Sequence, residues 1–406
     1  MRARLGAAYF LYYGYVGATL GYLAPYLRGL GFSGAAIGGV TMAGQIVAAP
    51  AALAWAHAAD RRGARAAALR TCSLGALIAM CWLPAAKTPL AVGAVLVAHS
   101  MFAGAVVPLL DSLTMEWARA GPQRSYARTR LFGSLGFVVA AQGIGAWLSS
   151  RGDRAADPLM PLMAVAYVAG YALLLNAPGA PRTRDEQAAA SQPVHVRAAV
   201  ALLRNPGVAS LLLLCAIHWA ACAPYHLLFG ILVRDEALPA TITGAGLAIG
   251  VLAELVALWA FPPLLRRFHL PGLLAASCCA TALRWWLVSR AHGAAALVLL
   301  QLFHAATFGL WWACAVEAMG RLVPVGLRAT GQALFSALVF GAGNAIGYGL
   351  CGEGYQRFGS VSPLFAIAAA AELCTLPLCA LAARYVAGSP DAPAAAGEGG
   401  TPPGSA

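Results

Sequence analysis

The sequence predicts an all-α polytopic membrane protein whose twelve transmembrane helices form two pseudo-symmetric six-helix bundles. Three observations predict it. The 406 residues are 60% hydrophobic and only 10% charged, with a mean hydropathy of +0.71, whereas a soluble domain carries roughly 25% charged residues. Apolar runs long enough to cross a hydrocarbon layer, which takes about 20 helical residues, recur twelve times. One long polar loop then divides them into two groups of six.

In chain order the runs cover residues 5–28, 36–58, 66–85, 90–117, 129–150 and 159–177, then 206–233, 240–262, 271–290, 293–319, 329–352 and 361–386. Only helices and closed barrels satisfy their backbone in lipid, and these runs are too long and too apolar for barrel strands. The first run follows Arg2 and Arg4 and contains Tyr12, Tyr13, Tyr15 and Pro25 with no good cleavage site after it. It therefore reads as a first membrane helix and not as a removed signal peptide. The loops sort by cations. Those on the side of Arg2, Arg61, Arg65, Arg119 and Arg384 hold seventeen, and those on the side of Arg28, Lys87, Arg151 and Arg234 hold seven. The positive-inside bias places both termini in the cytoplasm, as an even helix count requires. One lysine among 27 cations, with abundant Ala, Gly and Arg, has the look of GC-rich coding and points to a bacterial cytoplasmic (inner) membrane.

The expected domain organisation is an N-terminal bundle over 1–177, a cytoplasmic linker over 178–205 containing Pro178, Pro181 and Pro193, and a C-terminal bundle over 206–388. A disordered tail of Pro, Ala, Gly and Ser follows over 389–406. The halves echo each other. The fifth run opens Arg128-Thr-Arg-Leu-Phe-Gly133, and the eleventh opens Arg328-Ala-Thr-Gly331, 200 residues later. Two six-helix repeats of this kind are a transporter architecture.

The composition excludes several function classes. A net charge of +12 can signal nucleic acid, but these charges are spread through the loops, so no nucleic-acid partner is expected. The cysteines, Cys72 and Cys215 among them, fall inside apolar runs without Cys-x-x-Cys or zinc-like spacing, so they read as small buried residues. No serine elbow, His-Glu-x-x-His or phosphate-binding loop is present. The expectation is a non-enzyme without cofactor or metal, a monomer whose partners are a small solute, protons and the bilayer.

Charges within the runs carry the functional reading. Each costs roughly 2.5–3.5 kcal/mol near a helix centre on insertion scales, so Asp111, Glu254, Arg284 and His304 need a polar cavity or partners. Asp111 and Arg130 should lie at similar depth on consecutive antiparallel helices. They read either as a substrate-facing pair or as an ion pair that ties two helices together. Arg130 is equally placed to snorkel to the interface. Tyr12 and Tyr15 in the first run and Trp311 in the tenth supply aromatic faces suited to an aromatic carboxylate or a sugar ring. They also read as interfacial belts.

The loop Ala56-His-Ala-Ala-Asp60-Arg61-Arg62-Gly63-Ala-Arg65 resembles the Gly-x-x-x-Asp-Arg-x-Gly-Arg signature of the major facilitator superfamily. Ala56 stands for the first Gly, and Arg65 is shifted by one. The resemblance implies a gate in which Asp60 pairs with a cation, Gly63 permits a turn and Arg61 meets headgroups. The segments Pro108–Asp111, Tyr126–Phe137, Arg284-Trp-Trp286 and Leu302–Gly309 are similar to the lactose-permease and phenylpropionate-permease branch. That likeness implies the major facilitator fold, substrate binding by Asp111, Arg130 and Arg284, and proton coupling through Glu254, His304, Arg284 and Asp111. One departure matters. Thr307 stands where lactose permease carries an acid, so coupling would fall to Glu254 or Asp111. The Gly- and Pro-rich antiporter signature is absent from the fifth run, which favours uptake by symport. Proton-antiport efflux of a drug or metabolite, or uptake of a sugar or nucleoside, is the alternative.

Overall fold

The computed structural model describes residues 2–177 and 196–387. Most of the expected linker, 178–195, and the expected tail lie outside the described residues. Those described are helical, with no strand among them. Ten tracts are long and apolar enough to span a membrane. Two others hold the first and third places in the series: Arg2–Leu20 with its continuation Leu23–Gly29 (together α1) and Arg65–Met80 (α3). The remaining tracts are Gly34–Arg61 (α2), Pro89–Arg119 (α4), Tyr126–Ser150 (α5), Leu159–Asn176 (α6), Pro206–Asp235 (α7), Ala240–Arg267 (α8), Leu270–Val288 (α9), Gly293–Leu322 (α10), Thr330–Phe358 (α11) and Ser362–Val386 (α12). A short helix, Val196–Arg204, precedes α7. Its Leu202 is buried in the second half.

Local chemistry sets many of the ends. Ser33, Thr88 and Ser125 each accept a hydrogen bond from the backbone N–H three residues on, capping α2, α4 and α5. Asn205 caps α7 in the same manner. Gly359, at φ +64°, closes α11 in the left-handed conformation.

Several boundaries differ from the sequence reading, among them the eleventh run, which continues past 352 to Phe358. The first run is interrupted at Gly21–Tyr22. The third ends at Met80, five residues early, because Cys81–Ala85 turn back on themselves. The eighth does not stop at Pro262. It continues through Pro262 and Pro263 to Arg267, although these prolines withdraw the donors owed to the carbonyls of Leu258 and Trp259. Packing outweighs the lost bonds, since Phe261, Leu264 and Leu265 lie against the apolar core of the second half.

Large apolar side chains such as Ile46, Ile78, Leu173, Val256, Trp259 and Leu350 are exposed on the outer surface. In water such a surface would be an association hazard. Here it is what acyl chains solvate.

Inside, two apolar clusters form. One runs from the first half into the parts of α7, α8, α9 and α11 furthest from the chain termini, and includes Leu227, Phe229, Leu247, Trp285 and Tyr348. The other, around Leu211, Leu274, Trp311 and Phe335, belongs to the second half. The halves are therefore fused at the far end. There Tyr22 Oη donates to the Ala240 carbonyl at 3.5 Å, Gly34 N–H donates to Gln356 Oε1 at 2.9 Å, and Ala240 N–H donates to Asp153 Oδ1 at 3.0 Å. Arg28 pairs with Asp235 beside them. The backbones of α2 and α11 touch at Gly38 and Gly352, where a Cβ on Gly38 would stand 2.6 Å from the Gly352 Cα. At the terminus-bearing end, Trp311–Leu322 and Arg328–Phe335 pack on elements of their own half.

The second half carries three π-helical stretches: Pro224–Leu228 in α7, Ala305–Leu310 in α10 and Ser336–Gly343 in α11. The described helices of the first half carry none.

Candidate functional site

The first polar cluster is built from α1, α4 and α5. Tyr9 Oη donates to Asp111 Oδ1 at 2.5 Å, with Thr114 Oγ1 at 3.2 Å from the same hydroxyl. Arg130 Nε lies 3.6 Å from Asp111 Oδ1. Arg130 Nη2 donates to the Tyr13 hydroxyl, and the guanidinium sits over the Tyr13 ring at 4.2 Å and over the Tyr9 ring at 5.3 Å. Asp111 and Arg130 keep 22% and 32% of their side chains accessible. At 3.6 Å the pair is too long for a direct hydrogen bond, so Asp111 leaves the guanidinium's N–H groups largely unengaged. Arg130 also has guanidinium N–H groups to spare for a bidentate carboxylate. This geometry puts Arg130 among tyrosines.

The second cluster joins α7, α8, α9 and α10. Arg284 is fully buried. Its Nη2 donates to Gln301 Oε1 at 2.5 Å, its Nη1 lies 3.2 Å from His304 Nδ1, and its guanidinium faces the rings of Tyr225 and Trp285 at 4.6 and 4.4 Å. Its Nε has no hydrogen-bond partner. Arginine can only donate, so His304 Nδ1 accepts. The imidazole then carries its proton on Nε2, which points at Glu254 Oε2, 3.5 Å away. The structure puts His304 between the two charges, in the order Arg284, His304, Glu254. Glu254 keeps 30% of its side chain accessible.

The two clusters lie at matching depth. At the far end, α5 and α8 meet through Ser149 with Thr241 and through Ala141 with Gly244. Arg130 is eleven residues from Ala141 along α5, and Glu254 is ten from Gly244 along α8. At a rise of about 1.5 Å per residue, both lie roughly 15 Å from that crossing.

Between the fused end and these charges is a partly open cavity lined by Tyr15, Gln45, His99, His226 and Tyr348 among others. Tyr12 packs instead on Tyr13 and Tyr171. Trp311 is not at a cavity wall. It is fully buried, stacked 3.9 Å from the His218 ring, because α10 turns that face into the core of its own half.

In the loop between α2 and α3, Arg65 Nε donates to Asp60 Oδ1 at 2.7 Å and Arg65 Nη1 donates to Glu116 Oε1 at 2.6 Å. One guanidinium therefore ties the ends of α2 and α4 to the start of α3. Gly63 takes φ +59° in the turn, and Arg61 is exposed.

Sequence reasoning missed four participants. Tyr9 and Gln301 look like ordinary helix residues until the fold brings charges to them. His218 and Glu372 lie in apolar runs 154 positions apart, yet Nδ1 and Oε1 are 2.7 Å apart and both side chains are fully buried. With Cys278 they offer donor atoms within 4.8 Å of one another, but the His–Glu hydrogen bond already engages the two atoms an ion would need.

A family model described as the MFS_1 like family matches residues 3–366. The chain belongs to that family, within the major facilitator superfamily. Among its MFS relatives is a protein named maltose permease from Geobacillus stearothermophilus, 28% identical over 347 residues that cover 84% of each chain. Another, from Escherichia coli K12, is named probable 3-phenylpropionic acid transporter. It is 24% identical over 359 residues, covering 87% of this chain and 91% of that one. The nucleoside transporter NupG has a similar crystal structure, with a TM-score of 0.80 at 18% identity over 95% of this chain and 99% of its own. A POT family transporter in complex with a thioalcohol-conjugated peptide matches with a TM-score of 0.71 at 11% identity, over 94% and 96%. The MFS fold of this chain is thus shared with membrane transporters, and it is itself a multi-pass membrane transporter.

Proposed function

We propose that this MFS protein takes up a small organic solute, an aromatic carboxylate of the 3-phenylpropionate kind, together with a proton across a bacterial cytoplasmic membrane. The observation that carries the reading is the pairing at one depth of an Arg130 caged by tyrosines with the Arg284–His304–Glu254 chain. Arg130 has the donors for a carboxylate, and Tyr9 and Tyr13 have the faces for a ring. Across the cleft, Glu254 touches both solvent and His304, so it stands where the buried chain meets water. The two bundles rock about the fused far end, and with both termini cytoplasmic the conformation described here opens inward. The gate tied by Arg65 and the seal at Gly38–Gly352 then close alternately.

The relative named as a 3-phenylpropionic acid transporter supports the carboxylate. A sugar or nucleoside is the second reading, favoured by the neutral polar lining of Tyr15, Gln45, His99 and His226. Reconstituted protein with an imposed pH gradient and an internal pH dye, offered 3-phenylpropionate, maltose and uridine in turn, separates these. Entry of 3-phenylpropionate accompanied by acidification supports the first reading, and uptake indifferent to the gradient refutes proton coupling.

Two substitutions probe the clusters. Glu254→Gln removes the carboxylate that faces His304 and is expected to abolish uphill accumulation of the carried solute. Wild-type accumulation ratios would take Glu254 out of coupling. Arg130→Ala is expected to weaken 3-phenylpropionate binding by about 1.5–3 kcal/mol, the size of a hydrogen bond to a charged group, read by calorimetry or a fluorescence titration. An unaltered affinity would leave Arg130 as a helix tie.

A further inference from the structure

The His218–Glu372 pair lies outside both clusters, and its hydrogen-bond geometry fixes its protonation. His218 Nδ1 faces Glu372 Oε1 at 2.7 Å, and His218 Nε2 faces the Thr307 carbonyl oxygen at 3.1 Å. A carbonyl oxygen only accepts, so Nε2 must carry a hydrogen. An ionised carboxylate also only accepts, and an imidazole nitrogen without hydrogen does likewise, so the 2.7 Å contact is a bond only if one proton lies between Nδ1 and Oε1. Whether that proton is drawn on the ring or on the carboxyl, the pair holds one and is neutral overall. Without it, a carboxylate would confront a nitrogen lone pair at zero solvent exposure, with Glu372 Oε2 already lacking any partner.

Among the described residues, no other charged side chain faces the pair. Cys215 and Cys222 face the pair from α7, Cys278 from α9, and Thr375 and Cys379 from α12, with the Trp311 ring stacked on His218. His226 lies two turns further along α7, at the cavity. The pair is also joined to the second cluster. His304 opens the π stretch Ala305–Leu310, Thr307 within it accepts from His218, and Trp311 follows it. Phe308 of the same stretch stacks on His304 at 4.1 Å. Single π turns inside helices frequently sit at functional sites, and this one is gripped by the Glu254–His304–Arg284 chain on one side and the His218–Glu372 pair on the other.

We propose that His218 and Glu372 form a second proton-holding site of the transporter, loaded in this conformation and discharged when the α10 π stretch shifts. The proton comes from water and returns to water on the other side, with no other bond made or broken. The site deepens the proton-coupled reading and rests on it.

The test uses full-length protein in vesicles. In the first arm, protein labelled with 13C-glutamate is followed by infrared spectroscopy without solute. A Glu372 band, identified by its loss in Glu372→Gln, should stay unchanged from about pH 5 to about pH 9. A band that titrates as an exposed carboxyl overturns the proposal. In the second arm, proton entry per solute is measured with the pH dye, using 3-phenylpropionate, or maltose or uridine if the wild type carries those instead. A glutamine amide can donate to Nδ1 and keep the core bonded, so Glu372→Gln should remain folded yet lose proton-driven accumulation by about tenfold or more. Cys278→Ala, which disturbs packing beside the pair without removing its proton, should keep the wild-type ratio. If Glu372→Gln moves protons as the wild type does, this site is refuted while symport stands. If the wild type carries its solute with no proton, symport itself fails and the site with it.

Discussion

Replacing His218 with alanine is expected to destabilise the protein by about 3–5 kcal/mol, the cost of leaving one member of a buried ion pair without the other. Glu372 is fully buried, its Oε2 is already unpartnered, and its Oε1 is satisfied by His218. The alanine also strips the Trp311 face of its stacking partner and removes the side-chain donor to the Thr307 carbonyl. Denaturant or thermal unfolding in micelles, followed by tryptophan fluorescence, measures the loss. Glu372→Gln is expected to cost far less, about 1 kcal/mol, because an amide restores a neutral hydrogen bond. Equal losses for the two variants would mean that cavity formation, and not an unpaired charge, dominates at this site.

Placing valine at Gly38 is expected to pry the far end apart and reduce transport by about tenfold or more. A single Cβ there would stand 2.5 Å from the Tyr348 carbonyl oxygen and 2.6 Å from the Gly352 Cα. Both obstacles are backbone, so no side chain can swing away, and valine adds two further carbons. Gly39 is the control. It is the next residue on the same helix, and a Cβ there meets nothing within 4 Å, so Gly39→Val is expected to leave transport close to wild type. Distances between spin labels across the far end, together with uptake of the carried solute, read the outcome. A Gly38→Val protein with wild-type label separation would show that α2 and α11 need not touch to seal that end.

Hydropathy alone locates nearly every span, because a lipid-facing helix must be apolar along its whole length whatever it packs against. The boundaries that moved are those where tertiary contacts decide. Pro262 and Pro263 read as a stop, yet Phe261, Leu264 and Leu265 hold the helix together beyond them. Asp111 and Arg130 were legible as neighbours because they lie near facing ends of consecutive helices. His218 and Glu372 were not, since a single polar residue in an apolar run carries no sign of its partner. Trp311 shows the converse. Its residue type suits a ring-binding wall, but the rotation of α10 about its own axis is invisible in composition and turns the indole inward. The π stretches were hidden for a related reason, being set by what neighbouring helices push against and not by the residues within them.

Those stretches divide the work between the halves unequally. π turns are rare, occur mostly as single widened turns inside α-helices and are frequent at functional sites. Pro224–Leu228, Ala305–Leu310 and Ser336–Gly343 all lie on one side, with none among the described residues of the other. The second half is the member in which three helices leave regular α geometry. Amide deuteration should therefore be fastest within the membrane at those three places, and a ligand that stiffens the protein should slow it there first.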